Sequence, residues 1–288
     1  MAKNLISILQ LGTIDYATGL RLQEKLVALR KEGRIGDVLL LLEHAPVITL
    51  GRNAKSANIV ASPELLAQRG VEVFECDRGG DVTFHGPGQL VAYPIFDLRG
   101  FPSSSENRTT MGVIEFVRNL EEVLIRTCAE FGIPAKRIAG LTGVWTEPQA
   151  VSTDHVETGA LARSVESKTQ QFSEDQQAKI AALGIHISRG VTSHGIALNV
   201  NTDLSFFDLI VPCGITSKPV TSIQKELGRE LATQDVAHAL SRNFGLVFRR
   251  QILWLDSLDS LLGNNVGVPV RPPENLRKFS GEDETAWP

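Results

Sequence analysis

Four glycines fall within residues 78–89, and this segment constrains the fold more than any other part of the chain. Strand-like sequence surrounds it, because residues 71–76, 82–85 and 90–97 are rich in β-branched and aromatic side chains. An ordinary core has no need of glycine at this density, whereas glycine lets a backbone approach a ligand closely. The segment predicts a binding loop across strand ends, although glycines also serve tight turns and bulges.

The wider pattern predicts an α+β fold, with mixed or antiparallel sheets flanked by helices, because strands cluster along the chain instead of alternating regularly with helices. Further strands are predicted at residues 5–11, 38–43, 47–50, 143–146, 180–188 and 195–200, and helices at 13–32, 62–70, 110–131, 221–227 and 233–244. In the helix at 110–131, apolar residues recur at spacings of three and four, and Cys128 falls on that face. Cys128 is therefore predicted to be a core residue.

A single domain is predicted over residues 1–250 of this chain of 288 residues, 42% of which are hydrophobic. Residues 149–178 are rich in Ser, Thr, Gln and acidic side chains, which is typical of a solvated insertion. Residues 251–288 form a predicted C-terminal extension that ends in a proline-rich tail. Neither segment is expected to hold the chemistry.

The charge of the chain argues against binding to nucleic acid or to an anionic membrane surface. The formal net charge is −4 and the pI is near 5.9. The N-terminal residues lack the longer apolar core of a signal peptide, so a soluble, cytoplasmic protein is expected. Three cysteines without paired spacing fit a reducing compartment in which one thiol stays reactive.

Cys213 is a candidate nucleophile, and Lys179 is a candidate cation to activate it. Pro212 and Gly214 are turn-forming residues that present a thiol at the edge of an element. A free thiol has a pKa of about 8.5, and lowering it by about 1.5 units requires about 2 kcal/mol of preferential interaction with the thiolate. One nearby ammonium group supplies an interaction of that size. The alternatives are a small buried hydrophobe at Cys213 and a surface cation at Lys179.

The sequence resembles the octanoyltransferases of protein lipoylation, also called lipoyl(octanoyl) transferases, over most of its length up to about Phe248. The matching stretches are Glu43-His44-Ala45-Pro46 with Leu50-Gly51-Arg52, the glycine segment 78–89, Lys179-Ile180-Ala181-Ala182-Leu183-Gly184, Ser193-His194-Gly195-Ile196-Ala197-Leu198-Asn199-Val200, and Pro212-Cys213-Gly214. The resemblance implies a fold like the catalytic domain of biotin and lipoate protein ligases. It also implies an acyl-thioester on Cys213, with Lys179 lowering the pKa of that thiol and moving protons.

Substrate-binding positions follow from the same resemblance. They are Arg78, Gly79, Gly80, Asp81, Val82, Thr83, Phe84, His85, Ala182, Leu183, Gly184, Gly195, Ile196 and Ala197. His194 is a further candidate. His85 and His194 are expected either to orient the acyl carbonyl and relay protons or to be satisfied structural residues.

The implied reaction moves an octanoyl group from octanoyl-acyl carrier protein to a lysine of lipoyl domains in 2-oxoacid dehydrogenase and glycine cleavage proteins. Exchange of one thioester for another, followed by amide formation, needs no nucleotide. The sequence contains no Walker A or Gly-x-Gly-x-x-Gly motif and no Cys-x-x-Cys or His-Glu-x-x-His pattern, so no cofactor or metal is expected. Basic residues Arg52, Lys55 and Arg78 are expected around the mouth of the site, facing acidic partner domains.

Three other functions stay open on the sequence alone. An ATP-dependent lipoate or biotin ligase would share the fold but would not require Cys213. A cysteine-histidine hydrolase would release free acid, although the known cysteine-protease motifs are absent from the sequence. A catalytically silent carrier-binding protein would form no acyl adduct on Cys213.

Overall fold

A computed structural model describes residues 4–147, 177–215 and 218–262 of the chain. The strands are β1 (Leu5–Ile14), β2 (Asp37–His44), β3 (Val47–Leu50), β4 (Glu72–Glu75), β5 (Val82–His85), β6 (Gln89–Ile95), β7 (Ala135–Ile138), β8 (Leu141–Thr146), β9 (Lys179–Ser188), β10 (Val191–Asn199) and β11 (Gln251–Leu255). The helices are α1 (Tyr16–Lys31), α2 (Pro63–Gln68), α3 (Val113–Glu130), α4 (Ile223–Leu227), α5 (Thr233–Phe248) and α6 (Leu258–Leu262). Short 3₁₀ turns include Leu204–Leu209 and Pro212–Gly214.

Two mixed sheets carry the fold. The larger has eight strands in the order β11-β1-β2-β6-β10-β9-β8-β7, in which β11, β1 and β2 are parallel and the other neighbours are antiparallel. The smaller has the order β4-β3-β5, with β4 parallel and β5 antiparallel to β3. Helices flank the large sheet, so the predicted α+β fold is confirmed.

Both faces of the large sheet are buried. On one face, Leu39 and Leu41 of β2 belong to a core that includes residues of helices α3 and α5. On the other face, Leu40 and Leu42 share a second core with Leu26 of helix α1. Successive side chains of a strand point to opposite faces, so a strand covered on both faces needs a continuous apolar run. The run from Val38 to Leu42 has this pattern.

Cys128 lies on the core-facing side of α3 and is fully buried, which confirms the prediction made for it. Burial raises the pKa of the Cys128 thiol to about 12. This cysteine is therefore a packing residue and holds its proton at neutral pH.

Several predicted boundaries shift in the structure. Helix α1 begins at Tyr16 and not at 13, because β1 continues to Ile14 and the Asp15 side chain accepts a hydrogen bond from the Thr18 amide at 2.7 Å. Strand β10 begins at Val191, so His194 lies inside a strand. Strand β7 was not predicted from the sequence, and its half-buried Ala-Lys-Arg-Ile run lacks the alternation that marks a strand.

The large sheet continues beyond residue 250, where the extension was predicted to begin. Strand β11 pairs in parallel with β1 from Leu5↔Gln251 to Leu9↔Leu255, and Leu258 is buried in the core on the α1 side. The described part of the extension is therefore integral to the sheet. The predicted insertion at 149–178 lies outside the described residues except for its last two positions, and the proline-rich tail lies wholly outside them. In the described ranges, no helix combines the length and apolar character needed to cross a membrane.

Candidate active site

A cavity lies between the large and the small sheet and holds about 460 Å³ of empty space, its open mouth included. The large sheet contributes its floor from β6, β9 and β10, while β5 and the glycine loop, which is residues 76–81 between β4 and β5, cover it. The lining residues are Tyr16, Arg78, Gly80, Asp81, Thr83, His85, Val91, Tyr93, Ala182, Leu183, Gly184, His194, Gly195, Ile196 and Ala197. Most of the predicted substrate-binding residues therefore share one cavity.

A second chamber adjoins the first and holds about 280 Å³ of empty space, open solvent included. Thr83, Ala182 and Ala197 line both. The second chamber is further lined by Lys179 and Pro212, the residue before Cys213. The cation and the turn that carries the candidate thiol therefore border the same space.

The predicted binding residues on strand β5 point to two opposite faces, and only one of these faces lines the cavity. Thr83 and His85 line the cavity, whereas Val82 and Phe84 point to the opposite face, where Phe84 stacks on Phe206 with ring centroids 4.7 Å apart. The alternation of side chains along a strand is the reason. Val82 and Phe84 thus anchor the strand, and the structure places them away from the cavity.

Arg78 is 7% exposed, and its side chain stabilises the glycine loop through hydrogen bonds to backbone carbonyls. Its Nη2 donates to the carbonyl oxygens of Thr49 and Asp81, each at 2.6 Å, and its Nη1 donates to the carbonyl of Gly79 at 3.1 Å. These acceptors are uncharged backbone groups that orient the loop around the guanidinium. The prediction that Arg78 meets a partner at the mouth is therefore wrong, since its side chain is buried, while Arg52 and Lys55 are exposed.

The glycine loop is joined to strand β9 at a close approach. The Gly79 amide donates to the Ile185 carbonyl at 2.9 Å. A Cβ atom on Gly184 would lie only 2.7 Å from the Gly79 carbonyl oxygen. A side chain at this position would push the loop off the sheet, so Gly184 is needed for the loop to cover the cavity. Gly79 itself does not line the cavity and acts in this junction.

Lys179 begins strand β9 and is 7% exposed. Its Nζ lies 5.3 Å from the centre of the Trp145 ring, within the range of a cation–π interaction. Gly143 makes room for the lysine stem, because a Cβ there would lie 2.7 Å from Lys179 Cε. Its φ of +132° is also one that residues with side chains rarely adopt.

The turn Pro212–Gly214 is held from outside by the segment that precedes α2. The Val211 amide donates to the Asn58 carbonyl at 2.7 Å, and Asn58 Nδ2 donates to Asp81 Oδ2 at 2.6 Å. Gly214 has a φ of +67°, and a Cβ there would lie 3.1 Å from the same Asp81 oxygen. Asp81, a predicted binding residue, thus connects the glycine loop to the backbone that carries Cys213.

His85 is buried in a network of neutral hydrogen bonds. Its Nδ1 lies 2.7 Å from Gln89 Oε1, and Gln89 Nε2 donates to Asn199 Oδ1 at 2.8 Å. Because the amide oxygen of Gln89 accepts, Nδ1 carries the proton and Nε2 has the lone pair. Burial, with a smaller contribution from the nearby His44, lowers the pKa of His85 to about 3. The ring is thus an uncharged member of the cavity wall.

His44 is fully buried behind the cavity and supports Tyr93. Its Nδ1–H donates to the Ile14 carbonyl at 3.1 Å, so its Nε2 accepts from the Tyr93 hydroxyl at 2.6 Å. Burial lowers the pKa of His44 to about 4 and raises the pKa of Tyr93. The pair is therefore neutral and keeps a single hydrogen-bond direction.

Because His44 and His85 are neutral in the folded protein, we expect the free energy of unfolding to fall on acidification. The unfolded chain takes up a proton at each near pH 6.5, whereas the folded protein keeps them neutral down to about pH 4 and 3. The unfolded state therefore binds more protons below pH 6.5, and stability falls on acidification. Each histidine is expected to remove about 1.4 kcal/mol of unfolding free energy between pH 7.5 and 5.5. Urea titration at the two pH values measures this loss.

Between pH 7.5 and 5.5, the unfolding free energy of the variant His85→Gln should fall by about 1.4 kcal/mol less than that of the wild-type protein. His238→Gln is the matched control, because it makes the same replacement at an exposed histidine. An equal pH dependence in His85→Gln and the wild type would contradict the buried, neutral assignment.

His194 has an acidic partner at the rim of the cavity. Its Nε2 lies 2.7 Å from Asp77 Oδ1, and its amide donates to Gln23 Oε1 at 2.6 Å. Burial lowers the pKa of His194, and the hydrogen bond to Asp77 opposes this effect. Its φ of +55° is unusual for a residue with a side chain. Histidine 194 thus lines the cavity, as expected for a candidate binding residue.

Eight residues that line the two chambers were not assigned from the sequence. They are Tyr16, Gln89, Val91, Tyr93, Ala181, Asn199, Phe207 and Val220. A signal for three of them is present, since Gln89, Val91 and Tyr93 alternate along β6 and share a face. Tyr16 comes from the start of α1, and no local pattern connects it to the glycine segment.

Comparison with known proteins agrees with this architecture. Residues 15–245 match the family model of the lipoyl protein ligase A/B catalytic domain. The chain is 56% identical over 279 residues to an octanoyltransferase of Koribacter versatilis, covering 97% of this chain and 98% of that protein. It is 54% identical over 259 residues to an octanoyltransferase of Acidobacterium capsulatum, covering 89% and 96% of the two chains.

A solved bi-partite lipoate protein ligase from Thermoplasma acidophilum superposes with a TM-score of 0.57 over 90% of each chain, at 16% identity. At this identity the likeness concerns the fold alone, and it confirms the predicted fold, which is like that of lipoate ligases. The sequence relatives confirm the predicted family and the predicted class of enzyme. The chain therefore belongs to the octanoyltransferases within the lipoyl protein ligase A/B catalytic-domain family, and it is an acyltransferase.

Proposed function

We propose that this enzyme transfers an octanoyl group from octanoyl-acyl carrier protein to a lysine of a lipoyl domain, through a thioester on Cys213. The acceptors are the lipoyl domains of 2-oxoacid dehydrogenase and glycine cleavage proteins, and the reaction is the first step of endogenous protein lipoylation in the cytoplasm. The observation that carries the proposal is the chamber that Lys179 and Pro212 both line, next to the larger cavity. A reacting carbonyl in the smaller chamber can extend its acyl chain into the larger one.

In the first step, the Cys213 thiolate attacks the thioester carbonyl of the carrier. The carbon–sulfur bond to the carrier breaks, and the Lys179 ammonium gives its proton to the departing thiol. The products are an octanoyl-thioester on Cys213 and a neutral Lys179 amine. One thioester replaces another, so no energy source is required.

In the second step, the neutral amine of the acceptor lysine attacks the Cys213 thioester. Lys179 takes the proton that the attacking nitrogen loses, and Cys213 leaves as a thiolate. Both residues return to their starting protonation states. The amide product is more stable than a thioester, which makes the overall transfer favourable without a nucleotide.

Gly143→Ala is expected to slow acylation of Cys213 by about 10²-fold, because the added methyl group would displace the stem of Lys179 by a fraction of an ångström to an ångström. The rate of adduct formation, followed by intact-protein mass, measures the effect. The matched control is Gly140→Ala. Gly140 also has a positive φ, of +78°, but among the described residues no heavy atom beyond its chain neighbours lies within 4 Å of the added Cβ. Equal rates in the two variants would contradict the positioning of Lys179 by Gly143.

The proposal is tested by incubating the full chain with octanoylated carrier protein and a lipoyl domain, without ATP. We expect octanoyl-lysine on the lipoyl domain. A strict requirement for ATP would instead indicate a ligase that activates its acid as an adenylate. Release of octanoate faster than transfer to the lipoyl domain would indicate a hydrolase, and the absence of any adduct or product would indicate a carrier-binding protein.

A further inference from the structure

The floor of the cavity is formed by residues of three adjacent strands, β6, β10 and β9, which pair in register across the sheet. Gln89 pairs with Asn199, and Val91 pairs with Ala197, between β6 and β10. Ala197 pairs in turn with Ala182 on β9. One step further along the same face lie Tyr93, Gly195 and Gly184, where Gly195 pairs with Gly184.

The order of these paired residues along the strands defines the two ends of the cavity. Gln89 and Asn199 border the chamber of Lys179, so they mark the reacting end. Ala182 and Ala197 line both chambers and form the middle, where small apolar side chains leave room for a chain of methylene groups. Tyr93 lines only the larger chamber and is therefore at the far end.

Tyr93 has a large side chain, whereas the residues beside it on the neighbouring strands, Gly195 and Gly184, are glycines. The ring is 4% exposed, and its hydroxyl is fixed by the hydrogen bond to His44. His44 is itself held by Ile14 and by the ring of Tyr16, whose centroid lies 5.2 Å from its own. Tyr93 therefore cannot rotate away without breaking a buried hydrogen bond.

The distance along the floor matches the length of a medium acyl chain. Tyr93 lies four positions after Gln89, which corresponds to about 13 Å along a strand. Carbon–carbon bonds of about 1.5 Å at tetrahedral angles advance about 1.25 Å each, so an extended eight-carbon chain is about 9 Å long. The remaining length accommodates the thioester group at the reacting end.

We propose that Tyr93, held by its hydrogen bond to His44, sets the acyl-chain length by meeting the terminal methyl group. The inference rests on the proposed function for the direction in which the chain lies. It makes Tyr93 a specificity-determining residue and its partner His44 a positioning residue. The side chain of Ala197, in the middle of the floor, sets the width of the cavity through which the acyl chain passes.

The test compares kcat/KM for hexanoyl, octanoyl, decanoyl and dodecanoyl carrier proteins within each variant. A ratio between two substrates does not depend on the amount of folded enzyme, so a partly unstable variant stays informative. Tyr93→Leu should raise the decanoyl-to-octanoyl ratio about tenfold, because the methyl end of a longer chain then has space. Tyr93→Phe keeps the ring but loses the hydrogen bond to His44, so its ratio should lie between those of the wild type and Tyr93→Leu. Ala197→Val should shift the preference in the opposite direction, towards hexanoyl.

A second readout separates this inference from the proposed function. Calorimetric binding of free fatty acids needs no transfer, and the wild-type protein should bind octanoate more tightly than decanoate or dodecanoate. Tyr93→Leu should move the optimum to the longer acids. An unchanged length preference in Tyr93→Leu, in both transfer and binding, would overturn the role of Tyr93. Failure of transfer by the wild type, together with a binding optimum that moves in Tyr93→Leu, would refute only the proposed function.

Discussion

Replacing Cys213 with alanine is expected to abolish octanoyl transfer, with a loss of at least about 10³-fold in the single-turnover rate. The thiolate is the atom on which the acyl group is carried, and alanine offers no nucleophile in its place. Binding of the carrier should persist, since the acyl cavity is unchanged. A single-turnover assay with octanoylated carrier and a lipoyl domain measures the loss.

The other two thiols give this experiment its controls. Cys76→Ser should retain transfer, because its thiol donates to the Leu50 carbonyl at 3.4 Å and a hydroxyl preserves that bond. Cys128 is enclosed in the core with a raised pKa and is not available as a nucleophile. A Cys213→Ala variant that transfers octanoyl at the wild-type rate would show that the acyl group never resides on that residue.

Replacing Lys179 with alanine is expected to slow transfer by about 10²- to 10⁴-fold. Two effects combine, because the Cys213 thiol loses the cation that favours its thiolate and the departing carrier thiol loses its proton donor. The fold should survive, since the backbone amide and carbonyl of residue 179 keep their bonds to Pro219 and Thr221. Thermal unfolding of the variant checks this point.

The two roles of Lys179 are separated by the variant Lys179→Arg. Arginine keeps the positive charge but does not release its proton at neutral pH. It should therefore preserve a low thiol pKa, measured by the pH dependence of iodoacetamide alkylation, without restoring the rate of transfer. A Lys179→Ala variant with full transfer rate and an unchanged thiol pKa would contradict the pairing of Lys179 with Cys213.

Local sequence patterns predicted a glycine-rich segment across strand ends, because glycine density and strand alternation are properties of neighbouring residues. The contiguous set of binding residues over 78–85 came from the family resemblance, and the alternation of side chains along β5 divides it. Thr83 and His85 line the cavity, whereas Val82 and Phe84 lie on the opposite face of the strand. Arg78 was misjudged because its charge suggested solvent, while the folded loop supplies backbone carbonyls that satisfy it in the interior.

The far end of the cavity was not predictable from single segments. Tyr93 is one apolar residue in a buried strand, and its contact with His44 depends on how β2 and β6 pair across the sheet. Tyr16 reaches the cavity only because Asp15 fixes the start of α1. The edge strand at 251–255 was also missed, since its parallel pairing with β1 joins residues from the two ends of the domain.

Intact-protein mass after mixing the enzyme with octanoylated carrier tests the central claim most directly. We predict one added octanoyl group, mapped by peptide sequencing to Cys213, that disappears when a lipoyl domain is added without ATP. An adduct mapped to another residue, or octanoylation of the lipoyl domain with no enzyme adduct formed at any time, would contradict it.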